Sequence, residues 1–230
     1  MRKDIYTPVG LDIVNFVQKL KEKPSLSGIP TGFIQLDRLF GGLRKKELTV
    51  VFGDTGAGKT SFMLSTALNI AEQGYVVGIA NYSLSTDALY ERLLAIASYV
   101  PINAIKSRAL SQEHLESLSN AVAKLNTLKL FILQSVWHTL TELTSKTKRL
   151  KETHGLDVLF IDYLQLINPQ TRKNTMVEEY EDIVKALKAM ARRLDIAVVL
   201  LAHSNYEAPL LEKIGHYADN VLVLSRPELR

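Results

Sequence analysis

One stretch dictates most of what this chain can fold into: Gly53-Asp54-Thr55-Gly56-Ala57-Gly58-Lys59-Thr60, which fits the spacing G-x-x-x-x-G-K-[ST]. Before it, Glu47 to Phe52 is apolar and rich in β-formers, the signature of a buried strand; after it, Ser61 to Ala71 reads as a helix. A glycine turn between strand and helix has a specific physical use. Its backbone N–H groups point inward around phosphate oxygens, and the helix behind it presents the positive end of its dipole to the same spot. On this reading Gly53 through Ser61 cradle ATP or ADP, Lys59 reaches the β- and γ-phosphates, and the Thr60 hydroxyl holds Mg²⁺. Residue usage alone produces the pattern in on the order of 1% of chains this long. Flanks of the right kind therefore weigh heavily toward a nucleoside triphosphate site.

The remaining chain has to scaffold that turn. Strand-like runs at Leu48–Phe52, Val76–Asn81, Leu130–Leu133, Val158–Ile161, Ala197–Ala202 and Val221–Leu224 alternate with helical patterns. The first pattern carries Leu89, Leu93, Ile96 and Ala97. The second carries Leu115, Leu118, Val122 and Leu125 behind Ser111 as N-cap. A third sets Leu140, Leu143 and Leu150 behind a capping box, Thr139-x-x-Glu142, and a fourth runs from Ile183 to Leu194. Continuous apolar strands separated by helices predict an α/β fold, a mainly parallel sheet covered on both faces. One of those strands, Leu156 to Asp162, ends in a carboxylate at the sheet end where ligands of such folds sit, so Asp162 is the candidate for the Mg²⁺ shell. Asp157, at the opposite end of that strand, reads as a turn or cap residue.

Ahead of this alternation stands a separate element. Ile13, Phe16, Val17 and Leu20 recur at helical spacing, and a polar segment broken by Pro24 follows. The chain thus divides into an amphipathic helix with its linker at 1–27 and a nucleotide-binding domain at 28–230. A size of 230 residues, 47% of them hydrophobic, suffices for one full core. There is no cysteine, which excludes disulfides and thiolate metal sites, and the five histidines show no metal-ligand spacing. The longest apolar run, Ile196 to Ala202, is too short to cross a bilayer, and the N-terminus has no apolar leader, so a cytoplasmic protein without a membrane partner is expected. The net charge of +4 permits a nucleic-acid partner without demanding one.

Ile29-Pro-Thr-Gly-Phe-Ile-Gln-Leu-Asp37, Gly41-Gly42-Leu43, Asn81 to Ser85, Leu140 to Gly155, Leu159-Phe-Ile-Asp-Tyr-Leu-Gln-Leu166, Ala186 to Ala191 and Ala218 to Arg226 form a further set of segments. They resemble the RecA-like motor domain of DnaB-type replicative helicases. Together they span about four-fifths of the chain in collinear order. The resemblance implies a hexameric ring, ATP hydrolysis between subunits, and single-stranded DNA in a central channel. It also gives the N-terminal helix a role in docking on the adjacent subunit. Arg172 and Lys173, in the loop Asn168 to Asn174, fall where the family carries a channel-facing DNA loop.

The departures are chemical. The glutamate that the family carries in a Ser-Leu-Glu-Met segment falls at Ser85, and a hydroxyl cannot accept a proton from attacking water. Asp87, two residues on, offers a substitute carboxylate. The sensor glutamine of the family falls at His203, which can still donate one hydrogen bond. The family's arginine finger belongs to a strand beyond Arg230, leaving Arg226 and Arg230 as replacements; loss of such a finger costs on the order of 10³–10⁵ in rate. The leading expectation is a ring-forming, DnaB-related ATP-binding protein with weak hydrolysis. Alternatives are a non-motor paralogue that caps or modulates a full-length helicase, an active motor that has relocated its base and finger, and a DNA-dependent ATPase of the RecA, KaiC or RadA type.

Overall fold

The computed structural model describes residues 27–134, 138–169, 171–204 and 208–226, the last helix's 208–211 by backbone alone, together with Ile13 and Val17. Most of the predicted N-terminal helix, Trp137 and Arg230 lie outside the described residues. Ile13 and Val17 are helical, one turn apart, and both expose their apolar side chains.

Six strands form one sheet: β1 Leu48–Gly53, β2 Val77–Asn81, β3 Leu130–Leu133, β4 Val158–Asp162, β5 Ala197–His203 and β6 Asn220–Leu224. Their order is β3-β2-β4-β5-β1-β6, and every strand pairing is parallel. The helices are α1 Ile34–Phe40, α2 Lys59–Glu72, α3 Thr86–Ser98, α4 Ile102–Ser107, α5 Gln112–Leu125, α6 Leu140–His154, α7 Met176–Leu194 and α8 Ala208–Gly215. Side-chain alternation along the strands builds two cores. Leu48, Val50 and Phe52 of β1 join Leu159 and Ile161 of β4 beneath α6 and α7. Val51, Phe160, Val199 and Leu201 face the other way, against Leu64 of α2 and Leu89 of α3. Each fully buried aliphatic side chain contributes about 1.5–3 kcal/mol. None of the helices formed by described residues is long and apolar enough to cross a membrane.

The predicted strands are all present, four of them one residue longer at one end and β2 one residue shorter. Three short helices, α1, α4 and α8, carry too few turns to show a periodicity in the sequence. The capping box expected at Thr139 is only half formed. Thr139 Oγ1 accepts from the Glu142 backbone N–H, but Glu142 pairs instead with Lys146 at 2.5 Å. Complete boxes stand at Ser111–His114 and Thr175–Glu178.

The segment leading into the sheet is organised by one buried acid. Asp37, in α1, accepts from the Thr31 backbone N–H at 2.9 Å, the Thr31 hydroxyl at 2.8 Å and the Gly32 N–H at 3.2 Å. Asn69 of α2 donates to the Thr31 carbonyl, tying that loop to the helix of the glycine turn. Asp157 behaves as its position predicts: it accepts from the Val76 N–H and pairs with Lys45 at 2.7 Å. Burial would raise its pKa, but the hydrogen bonds from Lys45 and Val76 hold it below the usual value.

Candidate nucleotide site

The strand order brings four C-terminal ends side by side. Gly53 of β1 pairs with His203 of β5, and Asn81 of β2 pairs with Asp162 of β4. β1 therefore delivers the glycine loop, β5 a histidine and β4 a carboxylate to one edge.

The loop's shape requires its glycines. Gly58, the N-cap of α2, has φ +94°, a conformation that side chains with a Cβ rarely adopt. A Cβ on Gly53 would meet the Leu224 carbonyl at 2.8 Å. Lys59 folds back over this loop and is 7% exposed. Its ammonium donates to the Gly53 and Asp54 carbonyls at 2.7 and 3.0 Å and lies 3.2 Å from His203 Nδ1. Burial lowers the Lys59 pKa, opposed by the charges of Asp162 and Asp54. The ammonium has only protons to offer, so Nδ1 of His203 accepts and Nε2 keeps the ring hydrogen. Burial, then the neighbouring Lys59 charge, lowers the His203 pKa. The histidine is held on two further sides. Tyr163 meets its ring edge-on at 4.4 Å, and the His203 backbone N–H donates to Gln165 Oε1 at 3.3 Å.

Asp162 is 2% exposed, and its Oδ2 accepts from both the Thr60 hydroxyl at 2.8 Å and the Ser83 hydroxyl at 3.0 Å. The Asp162–Tyr163 peptide bond is cis. Among the described residues no group of three or more His, Asp or Glu gathers to hold a metal unaided. Two hydroxyls on one carboxylate, beside a phosphate loop, are the hard-oxygen set that suits Mg²⁺, which takes one or two protein oxygens and completes its shell with phosphate and water. These residues fit the ion.

Around them lies a cavity of about 490 Å³. Lys59, Arg92 and Arg226 supply positive charge to its lining, and Asp162 is the one carboxylate among the described lining residues. A net-positive cleft against a helix N-terminus takes a polyanion. Ser83, Arg92, Tyr163 and Gln165 escaped the sequence reading.

Two expectations change here. Ser85, the residue aligned with the family's glutamate, does not face the site: it is the N-cap of α3, its hydroxyl accepting from the Ala88 N–H at 3.2 Å. The hydroxyl that reaches Asp162 belongs to Ser83. Capping logic carried the signal, because a serine followed by an acid in the first helical turn marks a helix start and leaves Ser83 to the loop after β2. Asp87 is exposed on the first turn of α3 and is not among the cavity's lining residues, so the structure does not bring it to Asp162. Arg226 lines the phosphate cavity of its own chain.

The predicted DNA loop is acid-paired. Arg172 lies 3.5 Å from Glu179 and Lys173 lies 3.0 Å from Asp182. Glu179, 8% exposed, also accepts from the Lys173 backbone N–H at 3.1 Å.

The DnaB-like helicase C-terminal domain family profile matches residues 28–208. Among curated proteins, the chain is 31% identical over 190 residues to the replicative DNA helicase DnaC of Bacillus subtilis, covering 82% of this chain and 42% of that protein. It is 28% identical over 219 residues to the replicative DNA helicase DnaB of Rickettsia bellii, covering 90% of this chain and 44% of that protein. The chain thus spans less than half the length of these relatives. Among solved structures, one described as an ATPase domain superposes with a TM-score of 0.87 at 23% identity, over 97% of this chain and 85% of that one. A DnaB-like replicative helicase, described with its interactions with primase, gives 0.86 at 23% identity, over 99% of this chain and 58% of that one. Both show the same fold.

Proposed function

Because the chain belongs to the DnaB-like helicase C-terminal domain family, we propose that it binds ATP or ADP with Mg²⁺ along Gly53–Ser61, assembles as a ring, and hydrolyses ATP weakly. The observation that carries this reading is the Asp162 carboxylate, buried and shared by the Thr60 and Ser83 hydroxyls, as the one acid lining the cavity among the described residues. A nucleotide entering the cleft would draw Lys59 away from the Gly53 and Asp54 carbonyls onto its phosphates. Thr60, with Asp162 behind it, would hold Mg²⁺, which supplies charge neutralisation at the phosphates when bound. His203 retains an Nε2 hydrogen to donate to a terminal phosphate oxygen. The missing function is proton acceptance: Asp162 is committed to two hydroxyls, and Ser83 stands where a base would have to act. General-base catalysis contributes typically 10²–10⁴ in rate, so binding survives where turnover falls.

Ring assembly is supported by two apolar surfaces. Ile13 and Val17 expose the apolar face of the N-terminal helix. A cleft of about 620 Å³ between α3, α5 and β3, lined by Tyr90, Leu93, Val122, Leu125 and Phe131, offers a seat for such a helix from a neighbouring subunit. The pairing of Arg172 and Lys173 with Glu179 and Asp182 favours a second reading, a non-motor paralogue that modulates a full-length helicase, over a motor gripping single-stranded DNA.

Purified full-length chain should bind ATP with Mg²⁺ and sediment as an oligomer, with turnover far below that of ring helicases. DNA-stimulated turnover at helicase rates would refute the weak-hydrolysis reading. Absence of ATP binding would refute the nucleotide site itself.

A further inference from the structure

The Lys59 ammonium carries three hydrogens, and three acceptors receive them: the Gly53 and Asp54 carbonyls and His203 Nδ1. Two of these acceptors are backbone and cannot titrate. The third is a base that can take a proton of its own. The Gly53 carbonyl has a second donor in the Ser204 N–H at 3.2 Å, whereas Lys59 is the one donor to Nδ1 among the described residues.

The groups packed around the imidazole act in opposite directions. Lys59 of α2 disfavours a positive ring, while Asp54 of the glycine loop and Asp162 at the end of β4 favour it. Asp54 is itself bonded by the Ser204 hydroxyl. Tyr163 presents a ring edge and Gln165 a neutral amide. Arg92 and Arg226 line the same cavity as His203. Asp162 Oδ2 accepts from Thr60 and Ser83, so the oxygens suited to Mg²⁺ are bonded among themselves rather than to the ring. In the resting chain burial and the Lys59 charge prevail, and the histidine is neutral at pH 7.

A polyphosphate reverses this balance. It draws the ammonium onto its own oxygens, which leaves Nδ1 without its donor, and it brings several negative charges into the cavity. An opposite charge within about 4–6 Å moves a titration by about 1–3 pH units toward the charged form. We propose that His203 takes up a proton when a polyphosphate binds, so that nucleotide binding by this chain is proton-linked. One N–H bond forms at Nδ1, the ring passes from neutral to singly positive, and the proton comes from the solvent buffer. His203 then offers the phosphates a full charge as well as a hydrogen bond, which a neutral amide at the same place cannot do. The bound state holds more protons than the free state, so affinity rises as pH falls. The rise levels off below the free-state pKa of His203, which burial and Lys59 hold under 6.5. This rests on the nucleotide-site reading above.

Binding of ATP and of inorganic tripolyphosphate, which has neither sugar nor base, to the full chain with Mg²⁺ is measured by calorimetry at pH 7. Two buffers of different ionisation enthalpy give the number of protons taken up. The readout is the excess of wild type over His203→Gln, in which the ligand's own titration cancels. That excess is about half a proton or more with both ligands. A smaller excess overturns the proposal, because the proton then goes to Lys59 or to the ligand. An excess with ATP alone overturns it too, since the phosphates are then not its cause. If the variant does not fold, the imidazole C2–H resonance of His203 in the wild type decides. Tripolyphosphate moves its titration midpoint up by about one pH unit or more, and a smaller movement overturns the proposal. Failure of the wild type to bind tripolyphosphate or ATP at all overturns the phosphate-loop reading instead, and the proton linkage with it.

Discussion

Lys59 Nζ lies 3.2 Å from His203 Nδ1, so the cation of the glycine loop rests against a titratable base at the end of the neighbouring strand. Both groups have their pKa lowered by burial, and the Lys59 charge lowers that of His203 further. Asp162 and Asp54 oppose the shift on each, without reversing it. The folded state thus binds a proton at His203 less readily than the unfolded chain, whose histidine titrates near 6.5. Where the unfolded state binds more protons, stability rises with pH. The contribution is complete above the unfolded value and declines as pH falls below about 6.5 toward the lower folded value. His203→Gln, which keeps an acceptor for Lys59 and does not titrate, should flatten this decline. Urea midpoints at pH 7.5 and 5.5 for both proteins check it, and equal slopes would refute it.

Ser83 and Ser85 make opposite predictions about one missing group. Ser83 donates to Asp162 in the cavity, whereas Ser85 caps α3. Ser83→Glu should raise ATP turnover by about 10²-fold, the low end of general-base catalysis. Ser85→Glu should leave turnover unchanged. Ser85→Ala should cost about 1 kcal/mol of stability through the lost cap. Steady-state phosphate release and urea unfolding on the three variants separate the two positions; a gain in Ser85→Glu alone would reverse the assignment.

The features legible from sequence are those whose physics is local. A glycine loop between strand and helix, and an acid closing an apolar strand at Asp162, each sit within a dozen residues and carry their own spacing. Strand order does not: that β5 lies between β1 and β4, placing His203 between the loop and Asp162, follows from long-range pairings, Leu48 with Val198 and Val158 with Ala197. Helices of two turns or fewer, such as Ile102–Ser107, show no periodicity to detect. That Ser85 serves as the cap of α3 while the Ser83 hydroxyl reaches Asp162 was not legible from the aligned segment alone. Arg92 carries no local signal, since only the tertiary packing of α3 beside α2 brings it to the cavity lined by Lys59. Its position predicts that Arg92→Ala weakens both ATP and tripolyphosphate, roughly tenfold, the scale of one hydrogen bond to a charged group. Calorimetry on that variant checks the prediction, and unchanged affinity for both would refute it.

Neutralising the acids behind the DNA loop tests whether that loop touches nucleic acid. In the resting chain a phosphate strand must compete with Glu179 for Arg172 and with Asp182 for Lys173. Glu179→Gln keeps an acceptor for the Lys173 N–H while removing the charge, so the loop retains its shape. Single-stranded DNA affinity should then rise about threefold or more at low salt, the gain shrinking as added salt screens it. Fluorescence anisotropy with a labelled oligonucleotide at two salt concentrations measures this. If binding is the same in wild type and variant, Arg172 and Lys173 do not contact DNA.

Asp37 tests how firmly the lead-in segment is tied to the nucleotide helix. Its carboxylate, 6% exposed, satisfies two backbone N–H groups and the Thr31 hydroxyl at once. Asp37→Ala would leave those donors buried without acceptors, at about 1–3 kcal/mol for each one that water cannot reach. A net loss of about 3 kcal/mol is expected, since the exposed side of Gly32 lets water recover part of it. Asp37→Asn keeps acceptor capacity in one oxygen and should lose about half as much. The loss should appear as a lower urea midpoint with an unchanged slope, and tripolyphosphate affinity should hold in the protein that remains folded, because Asp37 lines no part of the phosphate cavity. A variant as stable as wild type would mean the segment is held by the apolar contacts of Ile29 and Leu43 rather than by its acid.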